Sequence, residues 1–555
     1  MISSLRRGGV AVLAAFAVGC SAQTNDEGPR AARALAGTRP VFASDDPVER
    51  GCALPQSYLT RIWRGYHPDH SEDVTMVPRY PNYFGSFTYR GHSGPWRYLQ
   101  QVPLVLYGPG HINGSGRVRR AVDLRDIYPT VGQLLGAPLP ERSGSVLSEA
   151  LAQDGSIRPR LVVVVMWDGV GRNVLERWPK AWPNLRRLER VGTTYFNTLV
   201  GSSPSITPAT HSTLGTGEFP KDHGVTGIEY RTDRGNVSTA FAGVDPRDLK
   251  LSTFADVIDR DLHNRPKVGM LAWRSWHLGM LGHGRAAPGG DADELALVGS
   301  HGKLSGIPSF YSTPRYMKNL GGFEADVERL DRSDGRIDGK WMGTPISEDE
   351  DNPAWVWYES DALQTMLRRG HYGADKIPDL FFTNFKSTDL VGHQFSMDSP
   401  RMKAVLHAQD AALGRLVRWL ETDVRNFTLI VSADHGHTPN ANRTGAWPVM
   451  QTELKHDIDR HFKVPSDKSL VLTTSATGPF LNHRLMKQLG VTADDVARFM
   501  NSYTISDNWS GSRLPDGYRD RGNEEIFSAV FPGSRLPEIM ACASGSPTPV
   551  SSPSF

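Results

Sequence analysis

Leu161-Val-Val-Val-Val-Met-Trp167-Asp168 is the clearest indicator of fold class in this 555-residue chain. The run is apolar on both faces, which suits a strand that helices cover on each side of a sheet. Helical patterns alternate with such runs, and the one from Ser399 to Glu421 has Pro400 at its start. Further strand-like runs are residues 102–107, 267–272, 379–383 and 427–432. The alternation predicts an α/β fold, an α/β/α sandwich with a mostly parallel central sheet.

Polar residues that follow these strands are the candidate site, because ligands of open α/β sheets bind beyond the carboxyl ends of the strands. Asp168 follows one strand, and Asp434-His435 follows another. In Asp389-Leu-Val-Gly-His393 the carboxylate and the imidazole share one face if the segment is helical. Asp and His are typical zinc ligands, and a zinc ion that keeps one open position needs three protein ligands. The two Asp/His pairs therefore predict metal binding.

Each signal alone has a plainer explanation. Asp168 could cap a helix over residues 170–177, and a single histidine is more often structural than a ligand. His437 could hydrogen-bond a ligating carboxylate and fix its orientation instead of binding metal. Two Asp/His pairs, each after an apolar strand, favour the metal site.

Thr207 is the candidate nucleophile. Pro208 is suited to the first helical position, which makes Thr207 the N-cap. A hydroxyl there lies where the helix dipole and free amides favour a phosphate. Metal coordination would lower the pKa of the hydroxyl and make it a competent nucleophile. The alternative is a plain N-cap.

Composition excludes some classes of partner. Lys+Arg number 62 against 60 Asp+Glu, and 39% of the residues are hydrophobic. This balance indicates a globular protein without a nucleic-acid track or a polybasic membrane patch, so no nucleic-acid-specific binding is expected.

The two ends of the chain are not predicted to belong to the fold. Residues 1–22 have the pattern of an export signal, with Arg6-Arg7 before a short apolar run, and Cys20 lies in a lipobox-like context. We expect a flexible leader over residues 23–50 and a loose tail over 543–555. The protein is therefore predicted to be exported, either as a cell-surface lipoprotein anchored to lipid through Cys20 or in secreted or periplasmic form.

Two other cysteines, Cys52 and Cys542, lie near the ends of the mature chain. In an oxidising compartment they could form one disulfide, and the alternative is two unpaired thiols. Residues 305–355 have weak periodicity and are predicted to be a cap-like insertion. Residues 441–542 are predicted to form an accessory lobe of the same domain.

Several motifs in sequence order resemble the alkaline phosphatase superfamily, nearest its type I phosphodiesterase/nucleotide pyrophosphatase branch. They are Val165-Met-Trp-Asp168-Gly, Thr207-Pro-Ala-Thr-His211 through Gly217, Phe219-Pro-Lys-Asp-His223-Gly224, Asn384-Phe-Lys-Ser-Thr-Asp389-Leu-Val-Gly-His393 and Ser432-Ala-Asp434-His435-Gly436. The resemblance implies an alkaline phosphatase-like fold with a catalytic core over residues 151–440. It also implies one metal ion on Asp168, Thr207, Asp434 and His435.

The same resemblance implies a second metal ion on Asp389, His393 and one histidine from a glycine-flanked turn near the C-terminus. No such turn follows residue 440. His92, in Tyr89-Arg-Gly-His92-Ser-Gly94, precedes a strand, a Gly-Pro-Gly turn and a helix pattern, as the closing segment of ordinary members does. We therefore predict that residues 51–150 are a circularly permuted C-terminal segment that carries this ligand.

Permutation predicts that the new ends, near Cys52 and Cys542, lie side by side. The alternative is that His92 is incidental and that one metal has only two protein ligands. Relatives place an Asn shortly after the His-Gly pair, and this Asn is absent after His223-Gly224. Lys386 is the candidate to hold the phosphoryl oxygen instead.

The predicted function is that of an exported, two-zinc phosphohydrolase, with Mn²⁺ as the alternative ion. It cleaves phosphodiester or nucleotide pyrophosphate bonds of small-molecule substrates through a phospho-threonine at Thr207. Alternatives are a phosphomonoesterase, a manganese-dependent phosphoglycerate mutase-like enzyme and a non-catalytic surface lipoprotein. A sulfatase is disfavoured, because no Cys/Ser-x-Pro-x-Arg motif lies at the nucleophile position.

Overall fold

The computed structural model describes residues 44–152, 158–299, 302, 309–318, 320–347 and 351–543. The predicted signal peptide, Cys20 and the tail beyond residue 543 lie outside the described residues, as does most of the predicted leader.

The described strands are β1 Val74–Pro78, β2 Tyr83–Phe84, β3 Gln101–Val102, β4 Leu104–Tyr107, β5 Gly116–Asp123, β6 Leu161–Trp167, β7 Thr193–Leu199, β8 Glu229–Arg231, β9 Val237–Thr239, β10 Val268–Ala272, β11 Glu294–Leu297, β12 Lys340–Trp341, β13 Thr344–Pro345, β14 Asp379–Phe385, β15 Phe427–Ser432, β16 Pro448–Val449, β17 Val471–Thr474, β18 Pro479–Leu481 and β19 Phe527–Pro532.

The described helices are α1 Pro47–Cys52, α2 Gln56–Gly65, α3 Arg97–Gln100, α4 Ile127–Leu135, α5 Arg172–Arg177, α6 Pro183–Val191, α7 Thr207–Thr216, α8 Pro220–His223, α9 Phe254–Asp261, α10 Leu278–Leu281, α11 Phe323–Asp331, α12 Pro353–Arg369, α13 Ser387–Phe395, α14 Pro400–Trp419, α15 Ala441–Thr444, α16 Gln451–His461, α17 His483–Leu489, α18 Ala493–Asn501 and α19 Leu536–Ala543.

A nine-stranded sheet forms the centre of the molecule, in the order β11-β10-β14-β6-β15-β4-β7, with β3 and β5 both paired to β7. β11, β10, β14, β6 and β15 run parallel, while β4 is antiparallel to its neighbours β15 and β7. The helices form two groups, and within each group the helices pack against one another. One group consists of α6, α12, α13 and α14, and the other of α4, α7, α9 and α10. The predicted α/β fold with a mostly parallel central sheet is confirmed.

The strand β6 lies between β14 and β15, and all seven of its side chains are buried. Burial of a Val or Leu side chain contributes about 1.5–3 kcal/mol, so this run stabilises both sides of the sheet. The predicted single strand over residues 102–107 is instead two short strands, because Pro103 lacks the amide N–H that an unbroken ladder requires.

The segment before β6 is part of the same fold. Its strands β3, β4 and β5 complete one side of the central sheet. Its strand β1 pairs with β19 antiparallel, Val74 opposite Pro532. β1 also contributes Val74 and Met76 to a second hydrophobic core, whose other members come mainly from residues 447–530. The predicted accessory lobe over 441–542 therefore also includes residues of the segment 51–150.

The first described helix, α1, begins at Pro47, inside the range predicted as flexible leader. Asp46 caps it by accepting hydrogen bonds from the backbone N–H of Val48 and Glu49, at 3.0 and 3.1 Å. Arg50 is buried in a bidentate pair with Glu525, at 2.9 and 3.0 Å. The predicted leader over residues 23–50 therefore extends too far toward the C-terminus. Its last residues are ordered by local capping and by a long-range ion pair.

The first and last described helices pack together. α1 and α19 are joined by a disulfide between Cys52 and Cys542, whose Cα atoms are 5.8 Å apart. The two cysteines are 490 residues apart in sequence. This proximity is what a permuted chain requires, while permutation itself stays a prediction.

Replacement of both cysteines, Cys52→Ser with Cys542→Ser, is expected to lower the free energy of unfolding by about 2–5 kcal/mol, because the bridge restricts a very long loop in the unfolded chain. Urea unfolding, followed by far-UV circular dichroism, measures the change. Dithiothreitol provides the control, since it should destabilise the parent by a similar amount and leave the double variant unaltered. A double variant as stable as the oxidised parent would contradict a stabilising role.

A repermuted chain tests the predicted segment order. It begins at Arg158, ends at Ala152 and joins residue 543 to residue 44 through a Gly/Ser linker. We expect it to keep the circular dichroism spectrum and the hydrolytic activity of the parent, because the helices at the joined ends already pack together. A control permutant opened between Val163 and Val164, inside β6, should fail to fold. If the two permutants failed alike, the prediction would be wrong.

Candidate metal centre

The parallel strands bring the predicted acidic residues to one edge of the sheet. β6 and β15 pair with Met166 opposite Ser432, so the chain leaves both strands at the same level. Asp168 and Asp434 follow within two residues, and each is fully buried. The predicted alternative for Asp168, a helix cap, is not observed, since α5 begins at Arg172 with Gly171 at the cap position.

The helix α13 follows the neighbouring strand β14 and carries Asp389 and His393 one turn apart. Nε2 of His393 lies 3.3 Å from Oδ2 of Asp389. His92 approaches the same carboxylate from the segment before β6, with its Nε2 3.3 Å from Oδ1 of Asp389. The three side chains thus share one cluster, although His92 is distant from the others in sequence.

The loop that carries His92 is held in place by contacts on both sides. The amide of Arg90 donates to the carbonyl of His393 at 3.0 Å. The hydroxyl of Thr438 donates to the carbonyl of Gly91 at 2.6 Å. The ring of His92 stacks on that of His435, with centroids 3.6 Å apart. The position of His92 is therefore fixed by two other segments that carry candidate ligands.

A second cluster consists of Asp168, Asp434 and His435. Nε2 of His435 lies 3.3 Å from Oδ1 of Asp168 and 3.4 Å from Oδ2 of Asp434. The other oxygen of Asp434 accepts the amide of Gly169 at 3.0 Å. His435 Nε2 is also 3.8 Å from Asp389 Oδ1, so the two clusters adjoin.

Hydrogen bonds to the far ring nitrogens assign the histidine tautomers. Nδ1 of His393 is 2.5 Å from the carbonyl of Arg90, and Nδ1 of His435 is 3.0 Å from the carbonyl of Gly436. Because a carbonyl only accepts, Nδ1 of each ring carries a proton. Nε2 of the neutral ring then keeps a free lone pair that faces the carboxylates, as a metal ligand requires.

His437 has the opposite tautomer, although it lies in the cluster with Asp389. Its Nδ1 accepts the amide of Thr438 at 3.1 Å. The proton of the neutral ring is therefore on Nε2, which is 3.2 Å from the carbonyl of Asp389 and 3.4 Å from its Oδ1. This arrangement suits a residue that orients Asp389 rather than a ligand.

The donor set fits cations. Among the described residues, Asp168 Oδ1, Asp389 Oδ1, Asp434 Oδ2 and His435 Nε2 are buried without a hydrogen-bond partner. Burial and the neighbouring Asp168 raise the pKa of Asp434 to about 7. Burial lowers the pKa of His435, but Asp434 and Asp168 outweigh it and raise the pKa to about 9. The three buried carboxylates therefore attract positive charge to this site.

Lys386 supplies one such charge. Its Nζ lies 2.7 Å from Asp389 Oδ2 and 3.1 Å from Asp168 Oδ2. Burial lowers the pKa of Lys386, but these carboxylates outweigh it and keep the pKa above its usual value. The same ammonium donates to the hydroxyl of Thr207 at 3.4 Å. Lys386 thus connects the two clusters with the predicted nucleophile.

Thr207 lies at the N-terminus of α7, and its side chain is buried. It is the first residue of the helix, with Ile206 at the cap position, so the predicted N-cap is displaced by one residue. Pro208 still occupies the first turn, where its missing N–H leaves no helical hydrogen bond unmade. Thr207 lines the wall of a cavity beside the two clusters, so a substrate could reach its hydroxyl.

Sequence reasoning assigned no role to several supporting residues, although Asn384 and His211 lie within the quoted motifs. The side-chain Nδ2 of Asn384 donates to Asp168 Oδ2 at 3.3 Å. Nε2 of His211 lies 3.6 Å from Asp434 Oδ2, and its Nδ1 is 3.0 Å from Nδ1 of the buried His277. A polar side chain within the apolar strand β14 was a usable signal for Asn384. The His211–His277 pair depends on tertiary packing alone.

A cavity of about 330 Å³ opens onto these residues. The candidate site residues in its wall are His92, Thr207, Lys386, Asp389 and His393. Its other lining side chains include the aromatic and acidic residues Tyr89, Trp273, Trp276 and Glu229. Such a cavity fits a small-molecule ligand with both charged and aromatic parts.

Comparison with known proteins finds several distant relatives. Alkaline phosphatase PhoV from Synechococcus elongatus is 23% identical over 57% of this chain and 67% of its own length. The solved structure of wild-type alkaline phosphatase PafA has a TM-score of 0.48 at 15% identity, over 68% of this chain and 85% of its own. Murine ectonucleotide pyrophosphatase/phosphodiesterase 5 has a TM-score of 0.36 at 16% identity, over 66% and 77%.

The model of the type I phosphodiesterase/nucleotide pyrophosphatase family matches residues 162–544. The chain belongs to this family, within the alkaline phosphatase superfamily, and is a phosphoric ester hydrolase. The resemblance inferred from the sequence motifs is confirmed at this level.

Across the described part of the chain, no helix is both long and apolar enough to cross a membrane.

Two histidine variants separate a ligand from an orienting residue. His393→Ala is expected to lower the content of bound divalent metal by one ion per chain. His437→Ala should keep the full metal content at saturating metal but weaken the affinity about 10- to 100-fold, because an orienting partner is lost. Elemental analysis and competition with a chromogenic chelator measure both. His456 is exposed, and His456→Ala is the control. Loss of a whole ion in His437→Ala would show that His437 is a ligand.

Proposed function

We propose that this chain is an exported, zinc-dependent phosphodiesterase that cleaves phosphodiester or nucleotide pyrophosphate bonds through a phospho-threonine at Thr207. The observation that carries the proposal is that His92, from the N-terminal part of the chain, lies against the carboxylate of Asp389 next to His393. Lys386 connects this carboxylate to Thr207.

One zinc ion is assigned to Asp389, His393 and His92, and the other to Asp168, Asp434 and His435 with Thr207. The carbonyls bonded to Nδ1 of His393 and His435 support these assignments, because they leave Nε2 as the nitrogen that a metal ion can bind when it displaces the proton. Bound zinc would polarise the phosphoryl group, lower the pKa of coordinated hydroxyl groups and offset charge on the leaving oxygen. Mn²⁺ would need the same ligands and is the alternative ion.

The chain itself supplies the nucleophile and its surroundings. Oγ1 of Thr207 releases its proton to water and attacks phosphorus, and the bond from phosphorus to the leaving oxygen breaks. The leaving group departs with the electron pair and takes up a proton from water. Water then attacks phosphorus in the phospho-threonine, the bond from phosphorus to Oγ1 breaks, and the phosphate product departs as Oγ1 regains a proton. Lys386, held cationic by Asp168 and Asp389, stabilises negative charge on the oxygen of Thr207 and on the adjacent phosphoryl oxygens.

Nucleotides are the substrate class that the cavity supports best. Trp273, Trp276 and Tyr89 offer aromatic surface beside the candidate metal ligands, and a nucleobase can stack on such a surface. The ring of Tyr89 also stacks on that of His393 at 4.5 Å, which restricts its motion. The description of the matching family, type I phosphodiesterase/nucleotide pyrophosphatase, agrees with a nucleotide ligand.

A phosphate monoester is the second candidate substrate. The charge of Lys386 next to Thr207 would favour the additional negative charge of a monoester. The similar protein PhoV is named an alkaline phosphatase. A panel of nitrophenyl mono- and diesters, assayed with and without chelator, separates the two substrate classes.

Export is proposed from the sequence pattern of residues 1–22, with lipid attachment at Cys20. The Cys52–Cys542 disulfide supports an oxidising compartment, because most cytosols keep thiols reduced.

Thr207→Ala is expected to lower kcat for a nitrophenyl phosphodiester by at least about a thousandfold, because the covalent step is lost. Zinc should still bind, since Asp168, Asp434 and His435 remain. Thr207→Ser retains a hydroxyl and should keep measurable turnover and a trappable phosphoprotein. Unchanged turnover in Thr207→Ala would remove this residue from the mechanism.

A further inference from the structure

A second acidic cluster lies away from the candidate metal centre. One carboxylate oxygen each from Asp259, Asp291 and Asp293 lies within 4.8 Å of the others. Asp259 is near the end of α9, and Asp293 immediately precedes β11. The cluster is therefore at the amino edge of the parallel strands, whereas the candidate metal centre is at their carboxyl edge.

The two buried carboxylates of this cluster have no cationic partner close enough to form an ion pair among the described residues. Asp259 and Asp293 are 4% and 8% exposed, and Oδ1 of Asp259 is buried with no hydrogen-bond partner there. Burial and the neighbouring Asp291 raise the pKa of Asp259 to about 7, and burial raises the pKa of Asp293 well above its usual value. Uncompensated buried carboxylates are costly, so the site favours a cation.

The nearby Asp256 differs from these residues. Its carboxylate accepts the amide of Thr253 at 2.8 Å and lies 2.8 Å from Nδ1 of His283. These partners satisfy it as part of a helix-capping box. The need for a cation is thus specific to Asp259 and Asp293, beside which the exposed Asp291 lies.

Asn264 is a further polar residue near this cluster. Its Oδ1 is buried without a hydrogen-bond partner in the described part of the chain. Its side-chain Nδ2 donates to the carbonyl of Gly289 at 3.0 Å. Its backbone N–H donates to the carbonyl of Asp259 at 2.9 Å. Asn264 therefore connects the end of α9 with the loop that carries Asp291 and Asp293, and it adds an unused oxygen acceptor in this region.

We propose that Asp259, Asp291 and Asp293 bind a structural Ca²⁺ ion. All three donors are carboxylate oxygens, which hard cations prefer, and the cluster contains no His or Cys among the described residues. Ca²⁺ accepts irregular coordination by about six to eight oxygens, with water and backbone carbonyls as further ligands. The ion would join α9 to the edge strand β11. This inference does not depend on the proposed function.

Calcium titration of the zinc-saturated full chain tests the site. Isothermal titration calorimetry with CaCl₂ should give one Ca²⁺ per chain, and the thermal midpoint should rise by about 3 °C at a concentration of about 100 Kd. Asp259→Asn and Asp293→Asn should abolish both effects. Their calcium-free midpoints should equal or exceed that of the parent, because an uncompensated buried charge is removed.

Asp291 is exposed, so Asp291→Asn is a variant that should fold like the parent. It should weaken calcium binding at least about tenfold without changing phosphodiester turnover. Asp261→Asn, on the same helix as Asp259 but outside the cluster, is the matched control and should bind Ca²⁺ like the parent. Absence of calcium binding to the parent would overturn the proposal. Unchanged binding in the Asp259, Asp291 and Asp293 variants would overturn it as well.

Discussion

Three buried carboxylates constrain the rest of this structure. Asp168, Asp389 and Asp434 are each at most 1% exposed, and Lys386 is an ammonium that contacts two of them. Buried anions at this density need further positive charge or protonation. The surrounding architecture holds the anions in place, because β6, β14 and β15 end at one edge and backbone carbonyls direct the lone pairs of two histidines inward. Charge, rather than shape alone, therefore makes this edge of the sheet the candidate functional one.

The central sheet was predictable from the sequence because its signal is local. An apolar run such as Leu161–Trp167 is either a covered strand or part of a buried helix, and its length and β-branched residues favour the strand. The pairing of β1 with β19 left no such signal, since the two strands lie near opposite ends of the chain. The sequence therefore predicts the lobe that they build too narrowly, and for the same reason it does not reveal the ion pair of Arg50 with Glu525.

The candidate site shows the same division between local and distant information. Asp389 and His393 were predictable as a pair, because four-residue spacing on a helix puts two side chains on one face. The sequence offers His437 as a residue that orients a carboxylate, but the tautomers that distinguish it from His393 require coordinates, since they depend on whether each Nδ1 meets a carbonyl or an amide. The sequence resemblance suggested a role for His92, but its distance to Asp389 required coordinates.

His92 also shows why the order of segments along the chain need not matter for such a site. The position of this candidate ligand is defined by contacts of its neighbours, Arg90 with the carbonyl of His393 and Gly91 with the hydroxyl of Thr438. These contacts do not depend on which segment comes first. What the chain order does change is the unfolded state, because the loop between Cys52 and Cys542 spans nearly the whole protein. A covalent bridge at that point restricts the unfolded chain far more than it restrains the native site. The disulfide therefore acts mainly on the unfolded chain, whereas contacts within the native fold set the geometry of the candidate site.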